Sequence, residues 1–249
     1  MITHLHGDHI NGLLGLLSTM GNAEKRSPLY IVGPRGIKRA LSAMMVLWEG
    51  LPYRLVVIEK PVGSFSINSD VLREIEISSL DLDHSTECLG YSLYFKRNRE
   101  FDPDKALENQ VPKHLWRHLQ AGQTFYMDDV SYTPDMVLGK PRPGIKFSYI
   151  TDTRPIEAII PFIKSSRLFV CEAMYGDDLD IGKAVKNKHM TFREAANLAY
   201  KGQVDHLLLT HFSPSLDSPG DYIENATSVF KNTSLAYDGI NISIGYPDK

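Results

Sequence analysis

Thr3-His4-Leu5-His6-Gly7-Asp8-His9 places three imidazoles and one carboxylate within six positions, an H-x-H-x-D-H pattern. Imidazole nitrogen and carboxylate oxygen are the donors that borderline divalent metals such as zinc accept, and this spacing lets one short turn face two metal ions. A site with an open coordination position makes a hydroxide at neutral pH, so the pattern points to a hydrolase. The competing reading is a histidine-rich surface loop. In a chain with nine histidines, the interleaved carboxylate favours the metal site.

Such a turn needs partners, and the rest of the chain supplies elements to carry them. Short apolar, β-rich runs at 29–32, 55–58, 91–95, 145–150, 168–171 and 207–210 read as strands. Helical spacing of apolar residues marks 37–48, 155–163, 191–200 and 222–230. Thr191 and Glu194 form a capping-box pair that fixes the start of the third helix next to His189. Asp152, Glu172 and His211 each stand where a predicted strand ends. Side chains from different strand ends converge on one rim, where α/β sheets usually place chemistry.

Composition bounds the class. The 249 residues suffice for one large α/β domain with an inserted arm, and two domains are not required. With 43% hydrophobic and 23% charged residues, and no apolar run of membrane-spanning length, a soluble protein without membrane association is expected. No basic segment followed by an apolar one marks a secretory signal. Cys88 and Cys171 are too few and too far apart for a disulfide framework or zinc ribbon, which fits a reducing cytoplasm. A net charge of −3 argues against indiscriminate nucleic-acid binding, although a local basic patch could hold a phosphate backbone.

The stretch 96–142 is different in kind. Lys96, Arg97 and Arg99 are followed by mixed charges, scattered prolines and Lys113-His114-Leu115-Trp116-Arg117-His118. It is long for a connection inside a compact domain, so it reads as a functional arm.

Taken in order, the motifs resemble those of the metallo-β-lactamase superfamily and, within it, the ribonuclease Z family. They are the first turn with Ile10-Asn11-Gly12-Leu13 behind it, Ile31-Val32-Gly33-Pro34-Arg35-Gly36, and Asp83-His84-Ser85-Thr86-Glu87-Cys88-Leu89-Gly90-Tyr91. Arg142-Pro143-Gly144-Ile145-Lys146 then leads to Thr151-Asp152-Thr153-Arg154-Pro155, followed by Cys171-Glu172-Ala173, Lys188-His189-Met190-Thr191 and Leu209-Thr210-His211-Phe212-Ser213. The first motif alone identifies only the superfamily; the ordered set is much more specific. The resemblance implies an α/β fold, the αββα sandwich of the metallo-β-lactamases with an inserted arm. It implies a single hydrolase domain over residues 1–249, with the arm at about 96–142. Members carry several strands before the metal-binding turn, whereas here Met1 falls just before it. An N-terminally truncated sandwich, with an exposed sheet edge, a thinned core and reduced stability or a tendency to associate, is therefore expected.

The resemblance implies two zinc ions per chain, with manganese or another divalent metal as the alternative, and carried over residue by residue it makes His4, His6 and His84 ligands of one ion. Asp8, His9 and His211 become ligands of a second, and Asp152 bridges the two. From the residues alone, His84 also fits a surface histidine and Asp152 a helix N-cap before Pro155. His206 is a rival to His211 but sits at its strand's beginning. Asp8 is implied to accept the nucleophile's proton, and Glu172 with His189 resembles the pair that protonates the leaving oxygen. Their structural alternative is a buried acceptor beside a cap residue.

The activity implied is hydrolysis of a phosphodiester to remove the 3′ trailer of precursor tRNA, by a homodimer. The arm would grip the tRNA, with Lys113 and Arg117 at phosphates and Trp116 stacking. Alternatively 113–119 is a solvated helical hairpin packing Leu115, Trp116 and Leu119 onto the body. The arm lacks the Gly-Pro-rich, Gly-Lys-containing motif of many members. Two other functions compete. One is a small-molecule hydrolase with the same metal cage, such as a cyclic-nucleotide phosphodiesterase, thioesterase or lactonase. The other is a non-catalytic RNA-binding remnant. The aromatic-basic arm, with Glu172 and His189, favours the nuclease over the first, and the full ligand set disfavours the second.

Overall fold

Strands in this chain are of two compositional kinds. Leu168–Glu172 is apolar almost throughout and buried at every position, as expected of a parallel strand covered on both faces. Ile75–Leu82 alternates, with Ile77 buried and its neighbours partly exposed, as expected of a strand with one covered face. The computed structural model describes residues 1–46, 50–61, 63–65, 67, 75–127 and 129–246.

In chain order the elements are α1 (Gly7–Ile10), α2 (Gly12–Asn22), β1 (Leu29–Gly33), α3 (Ile37–Met45), β2 (Leu55–Glu59), β3 (Gly63–Phe65), β4 (Ile75–Leu82) and β5 (Cys88–Arg97). Next come α4 (Pro103–Glu108), α5 (Trp116–Gln120), β6 (Phe125–Met127), β7 (Val130–Tyr132), β8 (Arg142–Ile150), α6 (Ile159–Ile163) and β9 (Leu168–Glu172). The chain closes with α7 (Ile181–Asn187), α8 (Phe192–Gly202), β10 (Leu207–Thr210), α9 (Ile223–Thr227) and β11 (Thr233–Leu235). It divides into two compact units: Met1–Phe95 with Ile145–Gly245, and Lys96–Gly144 with the residues from Tyr246.

In the larger unit, the described residues form a seven-stranded sheet in the order β11-β10-β9-β8-β5-β4-β3 and a separate parallel pair, β1-β2. The run β8-β9-β10-β11 is parallel and β3-β4-β5 antiparallel. Ile150 pairs with Cys171, and Glu172 with Thr210, so the carboxyl ends of three parallel strands align on one edge. Leu82 pairs with Cys88, which puts the β4–β5 turn at that same edge. Leu89 N–H donates to the Thr3 carbonyl at 2.9 Å, and Ile2 N–H to Val32 at 2.7 Å, stitching the first residues between β5 and β1. The main core lies between the sheet and α6, α8 and α9, with Ile150, Phe169, Phe192 and Leu207 fully buried. Gly90 lets β5 and β8 side chains meet: a Cβ there would stand 2.4 Å from the Ile150 side chain.

All six predicted strands are present, and α8 begins after the capping box at Thr191, both of whose hydrogen bonds form. The other helices are shorter than their periodicity suggests. Over 155–163 only Ile159–Ile163 is helical, because Arg154 N–H bonds to Asp83 O at 3.0 Å and holds the preceding chain extended, leaving tight turns at Ile156–Ile159. Over 222–230 the helix covers Ile223–Thr227, with Tyr222 closing a 3₁₀ turn. The helix expected over 37–48 runs Ile37–Met45; Leu47 and Trp48 lie outside the described residues.

The smaller unit has its own core of Ala106, Val111, Leu115, Leu119, Val137 and Leu138. Trp116 packs on Phe101 with ring centroids 5.1 Å apart and donates its ring N–H to Val111 O at 2.9 Å. Arg99 ties the unit's ends, donating to Gly139 O at 2.6 Å, to Leu138 O at 3.0 Å and to Asp135.

Candidate metal centre

Every side chain singled out at the strand ends and in the first turn lies in the larger unit, at the edge just described. The first turn folds as helix α1, whose start at Gly7 directs His4, His6, Asp8 and His9 from one short loop. His84 comes from the β4–β5 turn, and Asp152, Glu172 and His211 from the ends of β8, β9 and β10. Asp152 (φ +36°) and His211 (φ +60°) both hold left-handed backbone. Non-glycine residues there cost on the order of 1 kcal/mol each, and such strain gathers at functional sites.

Asp152 is the hub. Its Oδ2 stands 3.6 Å from His4 Nε2, 3.6 Å from His9 Nε2 and 3.8 Å from His84 Nε2, while Oδ1 lies 3.4 Å from His211 Nε2. Ligand atoms of His4, His6, His84 and Asp152 fall within 4.8 Å of one another, and so do those of Asp8, His9 and His211. A third group, Asp152, His189 and His211, meets the same limit. These sets fit divalent metal. His4 Nε2 is buried among the donors without a hydrogen-bond partner, an arrangement that costs free energy unless a ligand takes the lone pair.

Burial and neighbouring charge act differently on three of the imidazoles. Burial pushes His4 down to about 4, with Asp152 opposing and the neighbouring imidazoles assisting, so it is neutral at pH 7 and has a lone pair to give. His84 is lowered by the same burial; its Nδ1–H donates to Lys188 O at 3.3 Å, which leaves the lone pair on Nε2, 3.4 Å from His6 Nδ1 and 3.4 Å from Ser85 Oγ. Asp152 is held below the usual carboxylate range: burial opposes this, but His211, the Thr151 hydroxyl, His9 and His4 outweigh it.

His189 goes the other way. Burial alone would lower it, but the hydrogen bond and charge of Glu172, with Asp152 and Asp8, raise it above an ordinary imidazole. Its Nδ1–H donates to Glu172 Oε1 at 3.1 Å. Glu172 is fully buried and also accepts from the backbone N–H groups of Thr153 (2.7 Å), Met190 (3.2 Å) and Met174 (3.3 Å), so its position is fixed from four sides. Titratable groups pushed apart in this way mark acid and base roles.

His206 lies at the opposite end of β10, with Nε2 2.7 Å from Ser234 Oγ. Trp116 is a half-buried part of the arm's core, and Lys113 Nζ stands 6.0 Å from its ring. Lys113 and Arg117 are exposed, as are His114 and His118. Sequence reasoning missed Arg154, which donates to His189 O and Glu194 and so braces the loop carrying the imidazole. Its place in Thr151-Asp152-Thr153-Arg154, two residues past the hub, is the signal that could have found it.

No family model matches the chain. Among solved structures it resembles the metallo-β-lactamase fold protein YhfI from Bacillus subtilis, with a TM-score of 0.62 and 17% identity over 96% of this chain and 74% of that one. It likewise resembles human tRNase Z, short form, with a TM-score of 0.61 and 22% identity over 98% of this chain and 78% of that one. These likenesses establish the metallo-β-lactamase fold. In sequence it is 61% identical over 247 residues to Ribonuclease Z of Clostridioides difficile, covering 99% of this chain and 81% of that protein. At 48% identity, Ribonuclease Z of Alkaliphilus oremlandii matches 98% of this chain and 81% of its own length. The chain belongs to the ribonuclease Z family, metal-dependent hydrolases on the metallo-β-lactamase fold.

Proposed function

We propose that this chain is a zinc-dependent endoribonuclease that removes the 3′ trailer of precursor tRNA, with Asp8, Glu172 and His189 as its acid–base groups. Family membership carries the reaction class. The observation that carries the residue roles is the geometry: His4, His9, His84 and His211 converge on Asp152, while His189 donates Nδ1–H to the buried Glu172, a contact that raises it as burial lowers His4.

His4, His6 and His84 would hold one zinc ion and Asp8, His9 and His211 the other, with Asp152 shared between them. A metal held by these residues would supply Lewis-acid polarisation of a phosphate and a water of lowered pKa. Asp8, 3.5 Å from His9 Nε2 and mostly exposed, would take the proton released by the attacking water. His189, its Nδ1–H engaged by Glu172, would give the Nε2 proton to the departing ribose oxygen. Protonating that oxygen completes cleavage of the ester bond. Glu172 balances the imidazolium before transfer and holds the ring in place afterwards.

Lys113, Trp116 and Arg117 would bind the precursor through the arm at 96–142. Lys113 and Arg117 lie on the outward side of the segment whose Leu115 and Leu119 are buried, so their charges are open to phosphate. Trp116 would serve by holding Lys113 over its ring. Among the described residues no helix is long and apolar enough to cross a membrane. A cytoplasmic homodimer is the working form proposed. The eleven-residue α2 carries no charged side chain yet leaves Leu16 53% exposed, which suits a subunit contact.

The test is cleavage of a 3′-extended precursor tRNA beside a small phosphodiester, with and without a zinc chelator. Chelator-sensitive cutting at the tRNA 3′ boundary is expected. Hydrolysis of the small ester alone would move the function to the phosphodiesterase reading, and inertness in zinc-replete protein would favour the RNA-binding remnant.

A further inference from the structure

The donors point their metal-facing nitrogens at Asp152, but what fixes the far side of the most buried one has no role so far. His4 is fully buried, and its Nδ1 faces two groups: Thr3 Oγ1 at 3.2 Å and Cys88 Sγ at 3.8 Å. Cys88 Sγ also lies 3.8 Å from the carbonyl oxygen of Thr151. A carbonyl only accepts, so the thiol hydrogen is directed to Thr151 and sulfur turns its lone pairs toward His4. An Nδ1–H would meet two acceptors there, the Thr3 hydroxyl oxygen and the sulfur, and would leave the lone pair on Nε2, which is buried and unpartnered, as is His211 Nδ1. The Thr151 hydroxyl donates to Asp152 Oδ1, so one residue receives the thiol and steers the hub carboxylate.

We propose that Thr3, Cys88 and Thr151 form a hydrogen-bonded belt beneath the metal centre, positioning residues that set the tautomer of His4 and the orientation of Asp152 for metal binding. This rests on the reading of His4 and Asp152 as ligands. The belt is built to hold. Thr3 is pinned by Leu89 N–H on its carbonyl, next to Cys88, and Cys88 and Thr151 are each about 1% exposed. Partners behind metal-binding histidines fix ring orientation and raise basicity, and losing one typically costs on the order of 10–100-fold in metal affinity. The thiol is a weak donor and acceptor, so the conservative Cys88→Ser, which keeps both functions, separates hydrogen bonding from packing.

The experiment compares the parent chain with Thr3→Val, Cys88→Ala, Cys88→Ser and the Thr3→Val/Cys88→Ala double variant. Zinc affinity is read by competition with a chromophoric chelator. The tautomer of His4 in metal-free, ¹⁵N-labelled protein is read from long-range proton–nitrogen couplings, and the fold from thermal unfolding of the metal-free forms. The proposal expects the Nδ1–H tautomer in the parent and roughly tenfold weaker zinc binding in each of Thr3→Val and Cys88→Ala. Cys88→Ser should restore affinity, and metal-free Thr3→Val should melt with the parent. The Nε2–H tautomer in the parent, or parental affinity in the double variant, overturns the belt while leaving the metal centre standing. A parent chain that binds no zinc removes the centre itself and the belt with it.

Discussion

The rim of the seven-stranded sheet and the arm are assembled on opposite terms. The rim gathers polar side chains from stretches scattered between His4 and His211, buries His4, Asp152, Glu172 and His189 among them, and holds Asp152 and His211 in strained backbone. The arm is essentially one continuous stretch, with apolar residues inside and cations outside. Buried polar groups are costly unless every one is satisfied, so each rim residue depends on the others. Exposed charges act nearly independently and contribute little each. Substitutions at the rim should therefore act steeply and non-additively, and those on the arm's cations gently and additively.

Asp152→Ala tests this contrast most severely. It removes the carboxylate that four imidazoles face, and we expect loss of metal together with a fall in precursor cleavage on the order of a thousandfold or more. Elemental analysis and single-turnover cleavage report the two effects. Near-parental metal content would mean that the two ligand groups stand independently.

His189→Ala should come next, with kcat lower by about 10²–10⁴-fold and metal content unchanged. Its signature is in the pH profile. The Glu172 contact raises His189, so the proton is lost only above the ordinary imidazole range, and the parent's kcat should fall there as pH rises. That alkaline limb should vanish in the variant, and its persistence would assign the limb to another group.

A smaller effect concerns stability of the metal-free chain. His4 is lowered to about 4 in the folded state, so between about 6.5 and 4 the unfolded chain binds a proton that the folded one refuses. Stability is therefore lost as pH falls through that window. His84 acts in the same sense. Asp152, depressed in the folded state, adds a further loss as pH falls below the ordinary carboxylate value toward its own. His189, raised, contributes most at low pH and partly offsets the others. Chemical denaturation of chelated protein at pH 7.5, 6 and 4.5 should show a decreasing midpoint, and a flat series would contradict the burial of a neutral His4.

Much of the rim was legible in the sequence because its chemistry sits in short motifs at the ends of apolar runs. Strands 145–150, 168–171 and 207–210 are each followed by a polar residue, and parallel pairing brings those ends together. Less legible were groups acting through backbone or from behind. Lys188 serves His84 through a carbonyl, Arg154 braces His189 through another, and Cys88 looks like core. Helix α2, without a charge, hid from amphipathic periodicity, and the helix over 155–163 was overestimated because a tertiary hydrogen bond to Asp83 overrides local spacing. In the arm, Leu115 and Leu119 set the buried face at i, i+4 spacing, yet nothing local distinguishes a cation that meets phosphate from one that meets water.

That ambiguity defines the mildest prediction. Arg99 and Lys105 are already engaged on arm carbonyls, whereas Lys113 and Arg117 are exposed beside Trp116. If Lys113 and Arg117 each meet one phosphate, Lys113→Ala and Arg117→Ala should each raise KM for precursor tRNA a few-fold. Each should also lower the slope of log affinity against log salt by about 1, leaving kcat on a small phosphodiester unchanged. The double variant should show the sum, the additivity expected of independent surface charges. A steep, non-additive loss would place these cations in a built pocket like the rim, and an unchanged salt slope would take them out of the RNA contact altogether.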